Sequence, residues 1–150
     1  MEMEMKAEQQ RRFRVGEYGA QEAWAELTSE NRIRGLVRGK HFLGRELGLS
    51  GMEVSLNAAA VGEAMPFSHG HKQNEELYLF LSGEGQLLLD GEIVEVHAGS
   101  AVRVAPPVLR CWRNTGRAPL VFVVVQAKHG SLEQATATDG YLADAPPAWE

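Results

Sequence analysis

Cysteine is nearly absent from this chain of 150 residues: Cys111 is the only one, so no internal disulfide can form, and a reducing compartment is expected. Long apolar runs are missing too, and the opening residues, MEMEMKAEQQRR, are charged where an export signal would be apolar. The expectation is a cytoplasmic protein with no membrane partner. Positive charge is not in excess: 15 Lys and Arg stand against 20 Asp and Glu, for a net charge of -5, which argues against a general nucleic-acid binder. Three catalytic signatures are lacking as well. No glycine loop leads into a Lys, no serine stands at a nucleophile elbow, and no Cys-x-x-Cys pair occurs. Nucleotide hydrolysis, serine hydrolase chemistry and dithiol redox work are thereby set aside.

What the chain does have is alternation. MEVSLNA places Met52, Val54, Leu56 and Ala58 against Glu53, Ser55 and Asn57, the period of a half-buried strand. QLLLD and EIVEV flank Asp90-Gly91, a strong hairpin signal. LVFVVVQ, residues 120–126, is nearly continuous in β-branched residues, as a strand buried on both faces would be. With segments near 77–81, 101–104 and 110–113, at least seven short strands are predicted, which favours an antiparallel sandwich or barrel. Ahead of them, residues 20–28 suit one short helix carrying Trp24 and Leu27. Residues 33–38 suit a strand weakened by Gly35, and 41–49 a short helix. Behind them, the tail from Lys128 has Tyr141 and Trp149 as its large side chains, expected to pack on the barrel exterior or on a second subunit.

The stretch HGHKQNEELYLFLSGEG, residues 69–85, carries the candidate chemistry and reads as strand, loop and strand. Side chains at i and i+2 of a strand share a face, so His69 and His71 can present two imidazoles to one point. Glu76 lies far enough along for the chain to return a carboxylate to that point. Two imidazoles and a carboxylate hold a divalent transition metal (Fe, Mn, Ni or Zn) and leave coordination positions open. Glu75 should face the other way, toward solvent or Lys72. Tyr78 and Phe80 share parity with Glu76, and Tyr78 is a candidate for acid-base or substrate contact.

Gly62, His69-x-His71, Glu76 and Gly83 together resemble the first motif of the cupin family, with a gap of six residues before the histidines where five is usual. Gly91 to Asn114 resembles the second motif, so the likeness runs over about residues 55–126. The resemblance implies an all-β fold, an antiparallel double-stranded β-helix or jelly roll, with short helical or extended segments at both ends. A single domain over 1–150 is expected: an N-terminal arm to 51, a barrel core over 52–126 and a tail from 127. Cupins of this kind place a fourth ligand, a histidine, four residues before an asparagine; counting back from Asn114, this chain has Arg110. Arginine has no lone pair to give and cannot be a ligand. Two roles stay open for it: an ion pair with Glu76, or a clamp on a substrate carboxylate. The resemblance further implies a homodimer and oxygenase, isomerase or decarboxylase chemistry on a small anionic molecule. The alternative is a small-molecule binding or sensing protein that turns nothing over.

Overall fold

The structure, a computed structural model, describes residues 12–149. Residues 1–11, which hold most of the charged opening stretch, lie outside the described residues.

The β-branched run forms β10 (Leu120–Lys128), and the sheet is built outward from it. On one side it pairs with β4 (Glu53–Ala59), on the other with β5 (Asn74–Ser82). With β3 (Lys40–Phe42) and β8 (Ala101–Val104) on the edges, this gives a five-stranded antiparallel sheet in the order β3-β4-β10-β5-β8. Across from it lies a three-stranded sheet, β7-β6-β9, made of β6 (Glu84–Leu89), β7 (Glu92–His97) and β9 (Arg110–Asn114). The expected hairpin joins β6 to β7: Asp90 and Gly91 take φ of 49° and 85°, as a two-residue turn requires. Between the two sheets sit Tyr78, Phe80, Leu87, Val96, Val104, Leu120, Phe122 and Val124. Phe80 and Phe122 stack with Tyr78, each aromatic contributing roughly 1.5–3 kcal/mol by burial.

The alternation in β4 has a different meaning from the one first read. Register pairs Asn57 with Phe122 and Ser55 with Val124, so the polar face of β4 lies inside the barrel. Its apolar face, Leu56 and Ala58, is covered from outside by Trp24, Tyr18, Leu27 and Leu43. The N-terminal segment is therefore the second cover of this sheet, and β4 is buried on both faces from Ser55 to Ala59. Trp24 rides on a short 3-10 helix (Gln21–Glu26), where one helix was expected.

Two segments follow that helix as a separate hairpin, β1 (Thr28–Asn31) and β2 (Gly35–Arg38). The predicted helix over 41–49 shrinks to α1 (Gly44–Leu47), because His41 and Phe42 pair with β4 instead. Gly39, at φ 72°, turns β2 into β3; an added Cβ there would strike the Ala58 carbonyl, so glycine alone lets Lys40 follow on the inner side. The tail does not pack on the barrel: Tyr141 and Trp149 are both 92% exposed.

Candidate metal centre

The two histidines are not on a regular strand, contrary to the spacing argument. Residues 64–71 run antiparallel along the free edge of β9, held by bridges Ala64 to Arg113 and His69 to Arg110. His69 N–H donates to the Arg110 carbonyl at 3.0 Å, and Arg110 N–H returns the bond at 2.8 Å. His71 N–H donates to the Pro106 carbonyl at 3.1 Å. The backbone thus fixes both rings, whose centroids stand 5.5 Å apart with planes at 81°.

Glu76 reaches the same place from β5. One ligand atom from each of His69, His71 and Glu76 lies within 4.8 Å of the other two. Glu76 is 5% exposed, and its Oε1 receives three groups: Arg110 Nη1 at 2.6 Å, His71 Nε2 at 3.4 Å and the Tyr78 hydroxyl at 3.4 Å.

Of the two roles left open for Arg110, the geometry matches the ion pair. Its side chain is fully buried; Nε donates to the Val108 carbonyl, and Nη2 is shared among the carbonyls of Ala105, Pro106 and Val108 at 2.8–3.1 Å. A guanidinium held this way is a brace for Glu76. The turn before β9 folds around it, which is why its carbonyls point inward.

Electrostatics sort the remaining groups. Burial, opposed by the Glu76 charge and aided by His71, Arg110 and Lys40, pulls the His69 ring below the ordinary histidine range, so it stays neutral near pH 7. Burial, reinforced by the negative charge of Glu76, pushes the Tyr78 phenol far up, which keeps its proton on and makes it a donor. Asn114 ties the turn after β9 to the end of β4: its amide donates to the carbonyls of Ala59, Ala60 and Ala118, and its oxygen accepts from Gly116 N–H. Cys111 faces away from Arg110, half-buried, with Sγ at 3.2 Å from the Met65 carbonyl. Trp112 meets Phe122 edge-on at 5.7 Å and walls the interior.

The donor set fits a divalent ion. His69 Nδ1 is buried without a hydrogen-bond partner, a state that costs about 1–3 kcal/mol unless something binds there. The three groups naming Glu76 converge on one of its two oxygens, and a braced carboxylate is what metal sites use.

Sequence reasoning missed Lys40, Ser55 and Asn57. Lys40 Nζ donates to Asn57 Oδ1 at 3.0 Å and approaches Ser55 Oγ at 3.5 Å, on the interior face of β3 and β4. The sign was the polar half of the β4 alternation, which reads as solvent-facing unless the N-terminal cover is known.

Comparison with known proteins identifies the family and the fold. A family profile described as a cupin domain matches residues 57–126. A cupin protein from Bacteroides fragilis is similar at 43% identity and a TM-score of 0.68, over 69% of this chain and 88% of that one. A predicted oxalate decarboxylase from Thermotoga maritima is similar in fold, at 22% identity and a TM-score of 0.57, over 68% and 90% of the two chains. No curated protein matches the chain.

Proposed function

The chain belongs to the cupin family, and from that premise we propose that its barrel holds a divalent transition metal on His69, His71 and Glu76 and binds a small anionic molecule beside it. The observation that carries the reading is the convergence of one ligand atom each from His69, His71 and the braced Glu76 within 4.8 Å, with the buried His69 Nδ1 left unpartnered. A metal bound there would supply Lewis-acid or dioxygen chemistry at its open positions.

The protein's own residues set the rest of the site. Arg110 holds the Glu76 carboxylate in one orientation and offsets its charge, so it acts as a positioning residue and leaves no guanidinium face for a substrate. Tyr78 donates a hydrogen bond to the same carboxylate. Phe122, Trp112 and Met65 line one side of the interior, together with Ala59. These groups suit a largely apolar cavity that orients a small ligand.

One observation favours the second reading, a pocket that binds without turnover and without metal. Arg110 and Glu76 already form a closed, buried pair. Elemental analysis of untagged protein separates the two. Close to one equivalent of Fe, Mn, Ni or Zn, lost in His71→Ala, supports the metal reading; none in the wild type, even after reconstitution, supports the other.

A further inference from the structure

Opposite the histidines, a second group of charges lacks the compensation that Glu76 enjoys. Register places Lys40 beside Asn57 and, across β10, in line with Phe122 and Phe80, so its row belongs to the barrel interior. Its Nζ lies over the Phe42 ring, 4.9 Å from the centroid, and its two polar partners, Asn57 Oδ1 and Ser55 Oγ, are neutral. The Asn57 amide is itself spent on Ser55 and the Phe122 carbonyl, which fixes Oδ1 toward the ammonium. An ammonium has three N–H donors, and two have partners here.

A cleft lined by Lys40, Asn57, Met65, Trp112 and Phe122 opens at this point, with about 20 Å³ free, the room one terminal oxygen or water needs. Arg34 lines it too, from the turn between β1 and β2 that Asn31 Oδ1 orders by accepting the N–H groups of Ile33 and Arg34. Arg34 also lies over Phe67, 5.9 Å from the ring centroid, and Phe67 in turn meets His69. Of the other two charged groups on the cleft, Arg38 pairs with Glu26, while Glu63 accepts the Ala60 N–H and keeps its negative charge beyond ion-pair distance of Lys40 and Arg34. Among the described residues, neither Lys40 nor Arg34 has a carboxylate within ion-pair distance. Phe80 and Glu76 share the inward face of β5, so the ammonium and the candidate metal ligands border one interior; burial, opposed by Glu76 and aided by Arg34, lowers the proton affinity of Lys40.

We propose that Lys40, with Arg34 above it, is the anion-recognition point of this pocket and receives a carboxylate or phosphate oxygen of a small ligand whose other end reaches His69, His71 and Glu76. The inference rests on the reading of the barrel interior as a ligand pocket, and it does not require the metal. Two cations left unpaired at a half-closed cleft, in a chain of net charge -5, are matched by an anion and by little else.

The test is a titration of the protein as purified with acetate and, separately, inorganic phosphate, read by the indole N–H signal of Trp112, with metal content measured on the same samples. The expected result is a saturable shift with at least one anion, weakened about tenfold or more in Lys40→Met with metal content unchanged. Which anion saturates tells carboxylate from phosphate. Equal affinity in wild type and Lys40→Met, or no saturable shift in wild type, overturns the proposal. If Lys40→Met does not fold, Arg34→Gln at the exposed turn decides: weaker binding supports the proposal, and unchanged binding overturns it. A wild type that binds the anion but holds no metal even after reconstitution refutes the metal reading while leaving this one standing.

Discussion

Glu75 and Glu76 are neighbours on β5, and each meets an arginine and a histidine. Glu75 Oε2 accepts from Arg103 Nε at 2.9 Å and lies 3.4 Å from His129 Nδ1; Glu76 Oε1 accepts from Arg110 at 2.6 Å and lies 3.4 Å from His71 Nε2. The residue types are the same, and the pleat alone separates the two sets. The outer trio is open to water, with side-chain exposures of 52% for Arg103 and 56% for His129, whereas the inner Arg110 is at 0%. Outside, solvent screens the charges and can replace any partner that is lost. Inside, the fully buried Arg110 has no such substitute, so Glu76 is held firmly enough to join His69 and His71 around an ion.

The sharpest way to break this comparison is to remove one inner partner. Arg110→Met leaves Glu76 buried without a counter-charge and frees three turn carbonyls, so urea denaturation should show a loss of about 3–5 kcal/mol. Glu76→Gln should cost a similar amount, about 3–5 kcal/mol by the same argument. A double-mutant cycle on the pair should return strong coupling, and additive losses would refute the brace.

A middle-sized effect belongs to pH. The folded protein holds His69 below its unfolded value of 6.5, so between those two values the unfolded chain binds more protons and stability falls as pH drops. Unfolding midpoints between pH 7 and pH 5 should decline, and His69→Gln should flatten the decline. An equal slope in that variant would place the titrating group elsewhere. The smallest effect is expected outside: Arg103→Met should leave the thermal midpoint unchanged within error, and a clear drop would contradict the assignment of that pair to the solvated face.

The cluster of His69, His71 and Glu76 was legible in the sequence because the i, i+2 histidines and the carboxylate stand at spacings that the resemblance made specific, yet the route to it was not. The histidines sit on an irregular edge beside β9 rather than on a strand of their own. Arg110 carried two readings because a guanidinium's partners depend on the turn that wraps it, and residues 105–108 gave no local sign that their carbonyls would converge. Glu75 faces solvent as expected, but its partners there are Arg103 and His129, both far along the chain, rather than Lys72. The polar face of β4 was misread for a related reason: alternation tells which residues share a face, and only the position of Trp24 tells which face is outside. The β10 run and the Asp90-Gly91 turn needed no such context, since local conformation decides them.

The most direct test is metal titration of the untagged protein, followed by elemental analysis, on wild type and His71→Ala side by side. One equivalent of a divalent transition metal retained by the wild type and lost from the folded variant is the predicted result. Equal metal content in the two, or none in either after reconstitution, would contradict it.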